Sequence, residues 1–167
     1  STSLDGLDIE RVEGNILDDV ATLADIMQDC EGVFHVAAIT DLWADADFTW
    51  KVNYDGTRNI LDACLLAGEN KRLVFVGSAS SIEPGSIDNP GDETGAFPEV
   101  YIGTPYMESK HRAAELVRSY VRDKNLDAVI VAPTFLLGPY DTRPSGGGLV
   151  QRFCAGGMKA TSPGGRN

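Results

Sequence analysis

Basic charge, cysteine and long apolar runs are what this sequence has least of, and each shortage closes off a class of function. Its 167 residues carry 14 Lys and Arg against 25 Asp and Glu, a formal net charge of −11. A nucleic-acid surface needs clustered basic side chains, so no nucleic-acid partner is expected. Nine acidic residues fall within residues 1–31, where Arg11 is the lone base; this reads as a solvated acidic face. Three cysteines, Cys30, Cys64 and Cys154, stand far apart, with no C-x-x-C pair and no histidine at ligand spacing. No metal is therefore expected, and the odd count suits buried thiols in a reducing compartment better than disulfides. No apolar run approaches the roughly 20 residues of a membrane span, and no signal peptide is recognisable. The expectation is a soluble, cytoplasmic protein with no membrane partner.

What is present is an ordinary globular composition, 43% hydrophobic and 23% charged, read as one domain over residues 1–167 with no internal boundary. Three short apolar runs, Val33–Ala38, Leu73–Gly77 and Ala128–Pro133, predict buried parallel strands. A weaker strand is expected over Asp8–Glu13, followed by a helix capped by Asp18 or Asp19 and running to about Asp29. A second helix over Asp45–Ala67 would place Asn53, Gly56, Thr57, Ile60, Leu61 and Cys64 on one inward stripe. A third, from Pro105 to Lys124, would face Ala113, Leu116, Val117, Tyr120 and Val121 inward. Strands alternating with helices predict an α/β fold whose parallel sheet is covered on both faces. The Gly/Pro/Asp-rich stretch Ile82–Tyr101 reads as an active-site loop. The tail Thr142–Asn167 reads as two Gly-rich stretches around a short helix, Leu149–Ala155.

The sharpest chemical signal is Tyr106-Met-Glu-Ser-Lys110 at a helix start. A spacing of i, i+4 puts phenol and ammonium on one helix face. A phenol is a poor acid–base catalyst near neutral pH unless a fixed positive charge favours its anion. Ser78 follows the strand Leu73–Gly77, at the carboxyl edge where open parallel sheets bind ligands, and could hydrogen-bond a substrate oxygen. The hydroxyls of Tyr106 and Ser78 are expected to face one cleft, with Lys110 behind the tyrosine. Asn53, an amide on an inward stripe, must find partners or cost about 1–3 kcal/mol; it would order water or backbone behind the lysine.

With these residues in place, the chain resembles the extended short-chain dehydrogenases/reductases, in the dihydroflavonol-reductase-like branch of the NAD-dependent epimerase/dehydratase group. The resemblance rests on Val33–Ala38 (VFHVAA), Val52–Asn59 (VNYDGTRN), Leu73–Ser78 (LVFVGS), Tyr106–Lys110 and Ala132–Pro139 (APTFLLGP), in family order across nearly the whole chain. It implies a Rossmann-type doubly wound parallel sheet and a nicotinamide cofactor, NAD or NADP. Tyr106 would be the general acid–base. Lys110 would hold the nicotinamide ribose and ease proton loss from the tyrosine. Ser78 would bind the substrate oxygen, and Asn53 would support the proton relay. Val36, Ala37 and Ala38 would line the nicotinamide side, Pro133, Thr134, Phe135 and Leu136 would pack beside its ring, and Asn15 and Ile16 would lie near the adenine.

The chain departs from that pattern in two respects. It contains no G-x-x-G-x-x-G phosphate loop, and Gly146–Gly148 lacks the spacing and a preceding strand. The resemblance therefore predicts an incomplete Rossmann sheet without its first two strands, Asp8–Glu13 being the third and not paired with Val33–Ala38. The family's C-terminal substrate region is also expected to be missing. The implied partner is a small carbonyl or alcohol, or a nucleotide-sugar; a homodimer is compatible with the family. The reading is a ketone/alcohol oxidoreductase, with a sugar-nucleotide epimerase or dehydratase and a dinucleotide-sensing regulator as alternatives. A serine hydrolase is disfavoured, because Val76-Gly77-Ser78-Ala79-Ser80 is not a G-x-S-x-G elbow. His35 reads as a satisfied core imidazole, His111 as pointing elsewhere, and Trp43 and Trp50 as core residues with a pocket wall as the alternative.

Overall fold

The computed structural model describes residues 4–68, 71–138 and 146–157. Residues 12–132 form one compact unit, and residues 4–11 with the described residues from Pro133 onward form another. The first unit holds the sheet. Its elements are α1 (Val20–Met27), β1 (Gly32–His35), α2 (Ala46–Trp50), α3 (Gly56–Leu66), β2 (Arg72–Val76), α4 (Pro105–Lys124) and β3 (Ala128–Val131). The second unit contains α5 (Gly146–Cys154) and a turn in which the Arg11 guanidinium donates to Leu4 O at 2.7 Å. Residues 139–145 and 158–167, which include much of the expected Gly-rich tail, lie outside the described residues.

The three strands are parallel in the order β1-β2-β3, with Val33 opposite Leu73 and Leu73 opposite Ala128. Strands separated by helices and paired in parallel form the βαβ arrangement that the alternating pattern predicts. Each helix starts and stops for a local reason. Asp19 caps α1 by accepting from Thr22 N at 3.0 Å, and Asp45 caps α2 by accepting from Phe48 N at 2.8 Å. Pro105 opens α4 where a missing N–H costs nothing. Asn125 ends α4 in the left-handed region at φ 54°, which Asn tolerates better than most residues.

Between α2 and α3 the helix is not interrupted but widened: Lys51–Asp55 form a π-helical turn, closed by Gly56 N–H donating to Lys51 O. The expected stripe survives this turn. Asn53, Gly56, Thr57, Ile60, Leu61 and Cys64 are all buried, and Ile60, Leu61 and Cys64 join Leu73 and Phe75 of β2 and Ala113 and Val117 of α4 in one core. Side chains of this size contribute about 1.5–3 kcal/mol each when fully buried.

Several expectations are corrected. Asp8–Glu13 is not a strand; Ile9 and Val12 are exposed, and without a strand beside it to take its backbone bonds its alternation has nothing to pair with. Within this unit the described helices cover one face of the sheet. Val33, His35, Leu73 and Phe75 turn toward the helices, whereas Phe34 is 74% exposed and Val129 and Val131 are exposed on the opposite face, which no helix of this unit covers. Val121 is exposed while Ala114 is buried. Trp43 is 93% exposed rather than core, in a turn where its own N–H donates to Asp41; Trp50 is half-buried edge-on to Tyr54. Of the thiols, Cys64 is buried, but Cys30 and Cys154 are exposed.

Candidate active site

Parallel strands all point their carboxyl ends one way, so residues just beyond β1 and β2 share an edge. Lys110 reaches that edge from α4. Its side chain crosses the core, only 4% exposed, and its ammonium donates to Val76 O, the last carbonyl of β2, at 2.6 Å. The same ammonium stands 4.5 Å from the centroid of the Phe75 ring, a favourable cation–π distance. Burial opposes the charge and pulls the Lys110 pKa down to about 8. One carbonyl accepts one of its three protons, so two N–H groups stay without a protein acceptor among the described residues.

Tyr106 lies one helical turn earlier, in the first turn of α4, half-buried and with a hydroxyl that bonds to none of the described residues. Ser78 lies two residues beyond Val76. Its hydroxyl caps the short turn Ala79–Ser81, pairing with Ser80 Oγ at 2.7 Å and accepting from Ser80 N. A cleft of about 200 Å³ opens beside it, lined by Ser81, Phe97, His111 and Arg118 among others. Phe97 belongs to the stretch between β2 and α4, whose ring stacks on His111 with centroids 4.6 Å apart. Tyr106 is not among the residues lining this cleft. Lys110, on the same helix as Tyr106, ends on Val76, two residues before Ser78.

Asn53 sits in the π turn, 2% exposed, and both polar atoms of its amide are bonded to protein. Its Oδ1 accepts from Ile39 N at 2.8 Å, and its Nδ2 donates to Ile39 O and to Ser109 Oγ, both at 3.0 Å. It therefore orders the backbone at Ile39. Ser109 in turn donates to Tyr106 O at 2.9 Å. On the other side, Thr57 donates to Asn53 O at 2.7 Å and pairs with His35 Nε2 at 2.9 Å. The hydroxyl has one proton, which goes to the carbonyl, so Nε2–H of His35 must be the donor. Burial first and the Lys110 charge second lower the His35 pKa to about 4; the ring is neutral near pH 7, the satisfied core imidazole expected. Thr57 and Ser109 are the residues that motif reading passes over. A polar side chain on an otherwise apolar stripe was the available signal for Thr57.

Among the cofactor candidates, Val36 and Ala37 are exposed just past β1, and Ala38 is half-buried beside the anchored Ile39. Asn15 accepts from Leu17 N. Ile16 packs so closely on Gly56 that a Cβ there would lie 2.6 Å from Ile16 Cδ1. Pro133, Thr134, Phe135 and Leu136 belong to the other unit; Pro133 and Phe135 are half-buried, Thr134 and Leu136 exposed. Among the described residues no cluster of three or more His, Cys, Asp or Glu could hold a metal, and no helix is long and apolar enough to cross a membrane.

Comparison with known proteins gives the chain's family and the likeness of its fold. A family model described as the NAD dependent epimerase/dehydratase family matches residues 2–159. A putative dihydroflavonol 4-reductase of Synechocystis sp. is 33% identical over 95% of the chain and 46% of its own length. Sterol demethylase protein B of Methylococcus capsulatus is 32% identical over 97% of the chain and 49% of its length. The chain thus spans about half the length of the curated relatives it matches. The crystal structure of gox2253 superposes with a TM-score of 0.82 at 34% identity, covering 96% of this chain and 48% of that one. DesIV, a dTDP-glucose 4,6-dehydratase from Streptomyces venezuelae solved with NAD and DAU bound, superposes at 0.73 with 26% identity, over 93% and 48% of the two chains.

Proposed function

Because the chain belongs to the NAD dependent epimerase/dehydratase family, we propose that it carries the catalytic face of an NAD(P)-dependent oxidoreductase of the extended short-chain type, acting on a ketone/alcohol pair. The observation that carries this reading is Lys110: a buried ammonium held at the carboxyl end of β2, one turn after Tyr106, with two N–H groups that no described residue accepts. A ribose diol is a natural acceptor for such a pair of donors, and Val36 and Ala37 offer exposed apolar surface at the neighbouring strand end. These residues fit the nicotinamide-ribose half of a dinucleotide. The pyrophosphate half has no glycine-rich loop in this sequence. Asn15 and Ile16 near the adenine, and Pro133, Thr134, Phe135 and Leu136 beside the nicotinamide, enter on the resemblance alone.

A nicotinamide dinucleotide held there would supply or accept the hydride. Tyr106 then gives its phenol proton to the carbonyl oxygen in reduction, or takes one from the alcohol in oxidation. Lys110 follows one turn later on the same helix. Ser78 exchanges its bond to Ser80 for one to the substrate oxygen. Asn53 acts through Ser109 and Ile39 rather than on substrate.

The second reading, a nucleotide-sugar epimerase or dehydratase, is favoured by the likeness to DesIV; it uses the same residues with a transient oxidation. Carbonyl compounds and nucleotide-sugars incubated with the whole protein, followed by nicotinamide absorbance and product analysis, separate the two. Net, stoichiometric change in reduced cofactor is the result expected for the oxidoreductase. Product formation without net cofactor change would replace it by the second reading, and no conversion of any carbonyl or sugar substrate would contradict both.

A further inference from the structure

The turn of α4 that carries Tyr106 is not held in the usual way. Its N-cap, Thr104, makes no side-chain cap hydrogen bond, and Gly103 before it takes a positive φ of 86°. The first turn of a helix has no intrahelical acceptors for its own N–H groups and frays readily when uncapped. A phenol delivering a proton must nevertheless stay within a few tenths of an ångström of its productive position.

Ser109 supplies a tether of another kind, on a carbonyl of that turn rather than on its free N–H groups. It is fully buried, accepts from Asn53 Nδ2 at 3.0 Å and donates to Tyr106 O at 2.9 Å. Asn53 is in turn clamped at both polar atoms on the backbone of Ile39, just past Val36–Ala38. Its own carbonyl is bound by Thr57, which is fixed by His35 on β1. The protons run one way along this path, and each of these hydroxyls both donates and accepts.

We infer that Ser109 is a positioning residue for the reaction, setting the Tyr106 phenol relative to the strand end through Asn53. This inference rests on the assignment of Tyr106 above. The π turn is part of the device, because it contributes both the Asn53 side chain and the carbonyl on which Thr57 closes the path.

The test uses four variants of the whole protein. Ser109→Ala removes the oxygen with little change of volume. Ser109→Thr keeps a hydroxyl. Val117→Ala, at a fully buried site on the same helix, loosens packing without touching the network. Tyr106→Phe reports on the catalytic assignment. Ser109→Ala should lower kcat about tenfold to a hundredfold, move the pH profile of kcat, and leave the KM for dinucleotide within about twofold, because Lys110 is not part of the tether. Val117→Ala, compared at the same interval below its Tm, should change neither kcat nor the profile, and Ser109→Thr should recover most of the loss. If Ser109→Ala matches Val117→Ala in both readouts while Tyr106→Phe is inactive, Ser109 is structural and the inference fails alone. If Tyr106→Phe keeps its turnover, the catalytic assignment and this inference fall together.

Discussion

At the scale of single residues, Lys110 and His35 both hold charge states that burial dictates. The Lys110 pKa is lowered from 10.5 to about 8. Between those values the unfolded chain holds a proton that the folded chain has lost, so stability rises with pH across that window. Below pH 8 both states are charged and the burial penalty is full; above 10.5 both are neutral and it is gone. The difference in unfolding free energy between wild type and Lys110→Met should shift by about 3 kcal/mol in favour of wild type from pH 8 to 10.5. Urea titrations of the cofactor-free protein would measure it, and a difference flat with pH would contradict a buried ammonium. His35 works in the same direction at lower pH: its pKa is lowered from 6.5 to about 4, so its contribution is lost as pH falls through that interval. Nitrogen-15 NMR should find the neutral ring protonated on Nε2. The Nδ1–H tautomer would break the proton count at Thr57.

At the scale of elements, the π turn and its amide are the joint that holds α4 to the edge of the sheet. Asn53→Ala leaves Ile39 N, Ile39 O and the acceptor side of Ser109 without their partner. Loss of about 2–3 kcal/mol of stability is expected, since each buried group left unpaired costs about 1–3 kcal/mol and water recovers part of it; thermal or denaturant unfolding reads it, and a neutral substitution would mean that the clamp is idle. The position of Asn53 was legible because a 3.6-residue stripe needs only side-chain identity. The π turn was not, because Lys51–Asp55 contains no residue type that demands an i, i+5 bond. Strand cores were legible from β-branched runs, but those runs do not say which faces are covered. Asp8–Glu13 shows the limit most clearly: alternation marks a segment that could pair, and pairing depends on a neighbour that the segment itself cannot specify. Ser109 went unread for a related reason, since a Ser between Glu108 and Lys110 acquires its role only when Asn53, 56 residues away in sequence, is brought against it.

At the scale of the molecule, the proposed chemistry lies at the sheet edge, while Phe34, 74% exposed, lies on the face that the described helices of its unit leave open. Phe34, Val129 and Val131 present apolar surface that water does not favour. The 167-residue chain alone should therefore self-associate, and Phe34→Thr should reduce that association in sedimentation velocity at little cost in stability, because its side chain is largely exposed. Unchanged association would show that another surface is responsible. The central claim, however, is the pairing of Tyr106 with Lys110 as a proton-transfer centre in a nicotinamide-dependent reaction. Turnover and dinucleotide affinity of Tyr106→Phe in the whole protein test it most directly. Turnover should fall by about 10²–10⁴, the usual worth of a general acid, with dinucleotide affinity close to wild type because only the hydroxyl is removed; turnover near wild type would contradict the account.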